Sequence, residues 1–478
     1  MVLSKNRKLL LVVILSAVIA VLSVLVTLNG SEARAQNSGK PNIVFIMSDD
    51  QSQNTLKAMP NVRNRIRDVG VNATNFYVSQ SLCCPSRASI LKGQYPHNTG
   101  IMKNGPPNGG HPDFMAIDDT TVATKMKGAG YQTGLVGKYM NEYSCPYKPP
   151  GWSYWFGKDD VGNPGEKACE NGNMIDYTGD PGNWGDRFED RGLAFLDRNT
   201  DQSTDGPFAL FYWTSQPHLG AADYADRYDG HFAGETVPKP QGFDEVDVSD
   251  KPQWVKDLPR ISDADETYLN QLYRNQLRSS EQIDDSVGKI LDLLRDRGEL
   301  DNTYVIYTTD NNTHMGEHRW WTDHGAKNTA YEEGANVMFY VRGPGIPAGA
   351  TSNQLYSNND IQPTFSNIAG ATVPAFTDGR GLLTSWRNPG QSTARTGLMN
   401  ERGVSVPGIP VPVYHAIMTK THTYTEYATG EKEYYNRLTD PNQVENAYTP
   451  TNPSTALRNQ LDTLKDCAAD SCRAAENQ

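Results

Sequence analysis

The sequence predicts an α/β protein in which a mostly parallel sheet lies between layers of helices and a smaller α+β unit follows. Three observations support this. Short apolar runs of strand length stop abruptly at polar residues. Stretches with apolar residues at helical spacing lie between them, Ile283, Val287, Ile290, Leu291 and Leu294 being the clearest set. From about Gly379 the chain becomes rich in Gly, Pro, Asn and Thr, with short strand-like pieces such as VYHAIMT and THTYTEYA.

In chain order, Lys5, Arg7 and Lys8 precede an apolar run from Leu9 to Leu28, and Ala33-Arg34-Ala35 forms an A-x-A cleavage pattern. That layout marks residues 1–35 as a secretory signal. The run is also long enough to span a bilayer, so an uncleaved N-terminal anchor is the alternative. No later stretch is apolar enough to cross a membrane, so cleavage leaves no stable span. The main domain is expected over 40–378. Its strands are NIVFIM, running into Ser48-Asp49-Asp50-Gln51; YQTGLVG, running into Lys138; PFALFYW, leading through SQPH to His218; TYVIYTT, running into Asp310-Asn311; and NVMFYVRG, ending in Pro-Gly. Helices are expected over MPNVRNRIRDVG, TTVATKMKGAG and the long stretch from YLNQLYRNQ to LDLLRDRG. Residues 379–478 form the smaller subdomain.

The formal net charge is −12, and −15 without the first 35 residues, which hold four basic side chains and one acidic one. This acidity argues against nucleic acid as a partner and against a surface that tracks long polyanions. A mature chain of about 440 residues exceeds the size of one ordinary core, consistent with a large domain and a smaller one. Six cysteines are too few for a disulfide scaffold. Cys467 and Cys472 suit a small stapled loop, Cys145 and Cys169 a larger one, which leaves the adjacent pair Cys83 and Cys84. Trp152, Tyr154 and Trp155 fall between Cys145 and about Trp184, where they either frame the mouth of a site or pack its rim.

Ligands of open α/β sheets bind outside the carboxyl ends of the strands. Four runs deliver Asp49-Asp50, Lys138, His218 and Asp310-Asn311 to that edge, which points to one convergent site. Asp49, Asp50, Asp310 and Asn311 offer only oxygen ligands, a set that suits a hard divalent ion, Ca²⁺ better than Mg²⁺. Two adjacent carboxylates repel each other strongly unless a cation lies between them. In CCPSRASILKG, Pro85 fits the first turn of a helix and Gly93 its end. Cys83 then lies just before the helix, where free N–H groups and the dipole favour an anion. Arg87 reaches back to the same spot. With Lys138, Lys327 and His218, the charges fit a tetrahedral oxyanion, sulfate or phosphate.

Cys83-x-Pro85-Ser86-Arg87 followed by GQYPHNTG resembles the signature of the formylglycine-dependent type I sulfatases. PNIVFIMSDDQ, GYQTGLVGKYMN, SQPH, YTTDNN, AKNTAYEEG, RGPGI, NNDIQPT and EYYNRLTDPNQVEN resemble blocks of that family in the family's order, over about residues 40 to 450. LCCPSRASIL and GKYMN look most like the N-acetylglucosamine-6-sulfatase branch. The resemblance implies an alkaline-phosphatase-like fold and a formylglycine made from Cys83 by a separate formylglycine-generating enzyme. It further implies a calcium ion on Asp49, Asp50, Asp310, Asn311 and the oxygen of residue 83. Arg87 would hold the formylglycine hydrate, Lys138 and Lys327 the sulfate oxygens, and His218 would protonate the leaving alcohol.

Two departures stand out. Tyr139-Met140-Asn141 replaces a histidine that many arylsulfatases carry after the lysine. Asn312 stands where the family usually has Gly, and Asn tolerates a left-handed backbone in that loop. His314 either lines the pocket or makes a structural hydrogen bond. The reading is a secreted or extracytoplasmic sulfatase acting on small or terminal sulfate esters, aryl or sugar. The alternatives are a phosphomonoester or phosphonate ester hydrolase of the same fold and a catalytically silent secreted binding protein.

Overall fold

Ten strands make the main sheet of a computed structural model that describes residues 39–161, 166–180, 182–201, 206–218 and 223–478. They are β1 (Asn42–Ser48), β2 (Val71–Tyr77), β3 (Gln132–Gly137), β4 (Tyr154–Lys158), β5 (Lys167–Glu170), β6 (Asn173–Asp176), β7 (Phe208–Trp213), β8 (Thr303–Thr309), β9 (Phe339–Arg342) and β10 (Ala350–Ser357). Their order across the sheet is β10-β2-β9-β8-β1-β7-β3-β4-β5-β6. The five strands β8, β1, β7, β3 and β4 run parallel. The run NVMFYVRG supplies β9, which is antiparallel to both of its neighbours. Residues 1–35, expected to be a signal or anchor, lie outside the described residues. Among the described residues no helix is long and apolar enough to cross a membrane.

β1 is buried along its whole length because helices cover both faces of the sheet, and this is why it reads as a continuous apolar run. Its side chains still alternate. Ile43, Phe45 and Met47 enter one core with Phe211, Trp213 and Phe365, whereas Val44 and Ile46 enter the opposite core with Leu210, Tyr212 and Val287. The first core is covered by α1 (Cys83–Lys92), α2 (Val122–Gly128) and α5 (Ile361–Ala369), the second by α3 (Trp184–Thr200) and α4 (Asp263–Asp296). α4 starts with a reciprocal capping box between Ser262 and Asp265 and buries Ile283, Val287, Ile290, Leu291 and Leu294 at the predicted spacing. The stretch MPNVRNRIRDVG forms one α-helical turn, Pro60–Val62, that widens into a π turn, Arg63–Arg67.

Trp152, Tyr154 and Trp155 neither frame a mouth nor pack a rim. Tyr154 and Trp155 lie on β4 and all three are buried in the core, with Trp155 Nε1 donating to Tyr143 Oη at 2.7 Å. An aromatic run between turns can be a loop or a buried strand, and here the parallel pairing of β4 with β3 decides for the strand.

The second sheet is antiparallel, with β11 (Leu398–Arg402), β12 (Tyr414–Met418), β13 (His422–Tyr427) and β14 (Lys432–Asn436) in chain order. It lies within 379–478, but Pro41–Gln478 packs as one compact unit, so a subdomain boundary at Gly379 stays a proposal. The disulfides are Cys145–Cys169 and Cys467–Cys472, and Cys83 and Cys84 are free and buried.

Candidate active site

The parallel register brings the strand ends level. Ser48 pairs with Thr309, Met47 with Trp213 and Trp213 with Gly137. The residues that follow β1, β8, β7 and β3 are therefore Asp49-Asp50, Asp310-Asn311, the Thr214–His218 turn and Lys138, side by side at one edge. Asp310 N donates to Ser48 O at 3.1 Å and Asp49 N to Gln216 O at 2.9 Å. The chain turns sharply at Asp50, whose φ of 54° is left-handed, a conformation that short polar side chains tolerate. Its N–H donates to Asp310 Oδ1 at 3.1 Å, and Asn311 Nδ2 donates to Asp50 Oδ1 at 2.6 Å. The expected left-handed residue in this region is thus Asp50 and not Asn312, which keeps a negative φ and accepts from Thr313 N at 2.8 Å.

α1 begins one residue earlier than predicted: Cys83, expected just before the helix, is its first residue, after an extended Leu82. Pro85 is accommodated because the first N–H groups of a helix have no intrahelical acceptor to lose. The helix ends at Gly93 with φ of 72°, as the sequence indicates. Every side chain of α1 is buried. Cys83 Sγ lies 3.5 Å from Asp49 Oδ1, 3.7 Å from Asp50 Oδ1 and 3.3 Å from Lys327 Nζ. Burial, reinforced by the Asp49 charge, pushes the Cys83 thiol well above its usual range, so an unmodified thiol here is neutral and a poor nucleophile.

Arg87 is fully buried. Its Nε meets Asp310 Oδ2 at 2.8 Å, Nη1 donates to Lys138 O at 2.6 Å, and Nη2 lies 3.5 Å from Asp49 Oδ2. The guanidinium therefore ties the ends of β1, β3 and β8 to α1. Lys138 Nζ is paired with Asp49 Oδ2 and Lys327 Nζ with Asp50 Oδ2, and His218 Nε2 is 3.1 Å from Asp50 Oδ2. Burial disfavours the Asp49 carboxylate, but Lys138, Arg87, His218 and Lys327 outweigh it and hold Asp49 far below the usual range. Burial and the neighbouring Asp49 lift Asp310 to about 6, against the pull of Arg87. His218 keeps about a third of its side chain exposed, which places it at the outer face of the cluster.

All nine residues predicted from the sequence thus belong to one cluster. Asp49, Asp50, Cys83 and His218 present ligand atoms within 4.8 Å of one another, and Asn311 Oδ1 is buried with no hydrogen-bond partner. That orphaned oxygen, next to carboxylates that already draw in two ammonium groups, fits a hard divalent cation. His314 makes the structural hydrogen bond: it is fully buried, its Nε2 pairs with Thr329 Oγ1 at 2.7 Å, and burial lowers its pKa to about 3. The sequence reading missed Lys158, at the end of β4 beside Lys138. Its signal was a further apolar run, YWFG, stopping at a lysine.

Carboxylates buried among fixed cations at a sheet edge, with a cysteine at a helix start, make a site suited to a tetrahedral anionic group on an alkaline-phosphatase-like fold. Residues 41–371 match the sulfatase family, and the chain belongs to it. An arylsulfatase of Volvox carteri is 30% identical over 91% of this chain and 76% of its own length. The N-acetylglucosamine-6-sulfatase of Homo sapiens is 28% identical over 92% and 87%. An extracellular sulfatase SULF-1 homolog of Drosophila melanogaster is 31% identical over 74% of this chain, which spans only 32% of that relative's length. Among solved structures, one in complex with its substrate D-glucosamine-2-N,6-O-disulfate superposes with a TM-score of 0.76 at 23% identity, covering 92% of this chain and all of the other. A phosphonate monoester hydrolase of Silicibacter pomeroyi superposes with a TM-score of 0.67 at 20% identity, over 89% and 94%.

Proposed function

We propose that this protein hydrolyses sulfate monoesters of sugars or aryl alcohols, with residue 83 converted to formylglycine and a calcium ion held by Asp49, Asp50, Asp310, Asn311 and residue 83. The observation that carries the proposal is the position of Cys83, first in its helix and within 3.7 Å of both Asp49 and Asp50. Hydrated formylglycine supplies an attacking oxygen plus a second hydroxyl that lets the product leave, and the calcium ion supplies positive charge against the sulfate oxygens.

The protein's own residues do the rest. Lys138 and Lys327, paired with Asp49 and Asp50, would bind the sulfate oxygens and neutralise their charge as it shifts in the transition state. His218, at the outer face, would hold a proton at Nε2 for the departing alcohol. Arg87 acts as a brace, fixing Asp310 and the Lys138 carbonyl so that the nucleophile and the lysine keep their spacing. The walls of α1 keep bulk water from the far side of residue 83. We further propose that the chain is exported after its formylglycine-generating enzyme has acted, and that it takes small or terminal sulfate esters.

The test is mass spectrometry of the peptide containing residue 83, from protein made in its native host. An aldehyde or its hydrate is expected, and an intact thiol defeats the mechanism and leaves a silent binding protein. Because a phosphonate monoester hydrolase shares the fold, paired assays with sulfate and phosphate esters are needed. Faster phosphate turnover reverses the assignment.

A further inference from the structure

We propose that Lys158 is a specificity-determining residue that receives a second anionic group of the substrate, a sulfate or carboxylate beyond the ester that is cleaved. This rests on the reading of the protein as a sugar sulfatase. β3 and β4 are parallel with Gly137 opposite Gly157, so the next residues, Lys138 and Lys158, are neighbours at the carboxyl edge of the sheet. The glycine before Lys138 cannot be replaced: its φ is 127° and a Cβ would lie 1.7 Å from Trp213 O. The two lysine stems therefore rise from a level edge with no side chain from that glycine to separate them.

Lys138 is neutralised by Asp49. Lys158, only partly exposed, has no carboxylate within ion-pairing distance among the described residues. Its ammonium lies 5.1 Å from the centre of the Trp184 ring, whose indole also carries the Arg187 guanidinium at 5.1 Å. This cation–π contact directs Lys158 without consuming its charge. Burial pushes the Lys158 pKa down, Asp223 pulls it up and Lys138 pushes it down again. The two lysines thus stand at neighbouring strand ends, Lys138 paired with Asp49 and Lys158 without an ion-pair partner among the described residues. They suit a ligand with two negative groups, one presented to the lysines of the cluster and the other to Lys158.

The variants Lys158→Met, which keeps the apolar stem, and Lys158→Arg, which restores the charge, test this in the formylglycine-bearing enzyme. The substrates are N-sulfated glucosamine 6-sulfate, N-acetylglucosamine 6-sulfate and a 6-sulfated disaccharide carrying a uronate. The ratio of kcat/KM for the doubly anionic sugars over the N-acetylated one should fall about tenfold in Lys158→Met, through KM, and recover in Lys158→Arg, as expected for loss of one charge-assisted contact. Whichever doubly anionic substrate loses preference identifies the second anion as N-sulfate or carboxylate. An unchanged ratio, with or without a lower Tm, overturns the proposal and assigns Lys158 to packing or to Asp223. Calorimetric binding of the same sugars to Cys83→Ala and Cys83→Ala/Lys158→Met proteins reads the subsite without turnover. Binding discrimination that depends on Lys158, in a protein that cleaves no sulfate ester, would refute the proposed function while supporting the subsite.

Discussion

The cluster of Asp49, Asp50, Arg87, Lys138, Lys327 and Asp310 and the cluster of Asp360, Arg395 and Glu476 both withdraw charge from solvent, yet they are finished differently. In the second, Arg395 holds both oxygens of Asp360 at 2.6 and 2.8 Å and Glu476 at 3.0 Å. Glu476 also accepts from Tyr95 Oη at 2.7 Å and Arg380 Nε at 3.0 Å, and Asp360 from the Ser357 and Arg380 N–H groups. No side-chain atom of Asp360, Arg395 or Glu476 is buried without a partner. In the first cluster Arg87 Nη2 and, beside it, Asn311 Oδ1 are buried without hydrogen bonds. Completed pairing fastens the C-terminal segment to the main sheet, whereas unfinished pairing leaves capacity for a ligand.

Changing residue 83, the proposed nucleophile, separates the two clusters most sharply. Cys83→Ala should lower kcat on an aryl sulfate by at least about a thousandfold while Tm stays within a few degrees, because no route to a covalent intermediate remains. A variant that keeps a tenth of the activity would mean that residue 83 is not the nucleophile. The reverse pattern is expected for Arg395→Met, which strands two buried carboxylates and should cost about 3–5 kcal/mol in denaturant unfolding. Its kcat, measured below the unfolding range, should be close to that of the parent. If its activity falls as steeply as in Cys83→Ala, the C-terminal network is part of catalysis and the contrast collapses.

Next in size is a pH effect confined to the C-terminal side. Burial disfavours charged His97, but its hydrogen bond to Glu401 (2.7 Å) and the carboxylate charge lift its pKa to about 9. Asp378 adds to this, and His415 faces the same Glu401. A folded pKa above the unfolded value of about 6.5 means that the stabilisation is complete below pH 6.5 and is lost as pH rises through 9. The stability gap between the parent and His97→Gln should therefore shrink by roughly 3 kcal/mol between pH 6 and pH 10 in urea titrations. A gap that widens with pH would contradict the assignment.

The smallest effect expected is that of calcium on stability. Chelation should abolish turnover, and adding calcium at about a hundred times its Kd should raise unfolding free energy by about 2.7 kcal/mol. The increment should vanish in Asp49→Asn/Asp310→Asn protein and persist in Arg395→Met. An increment insensitive to the aspartates would move the metal elsewhere.

Much of this site was legible before the fold was known, and the particular residues show why. Asp49, Lys138, His218 and Asp310 each follow an apolar run, and in a parallel sheet the end of such a run is the ligand edge. Gly93 marks the end of α1 through its left-handed conformation. Less legible were residues whose surroundings depend on distant partners. The start of α1 was misplaced because proline in the first turn is compatible with several positions. Trp152 and Trp155 looked like a mouth because nothing local separates a surface aromatic from a core one. Arg87, expected to hold the formylglycine hydrate, also engages Asp310 through its Nε, a partner 223 positions away that nothing local indicates.

What the sequence by itself determined is therefore the inventory: strand runs with the polar residues that end them, the helix around Cys-x-Pro-Ser-Arg, the cysteines left over for disulfides, and the sulfatase family. These are local properties of period, turn chemistry and residue type. Only the tertiary structure decided who meets whom. The strand order β8-β1-β7-β3-β4 places Asp50 beside Asp310 across 260 positions and Lys138 beside Lys158 across a strand pair. That order is set by which apolar faces pack together, a non-local choice that no window of the sequence contains.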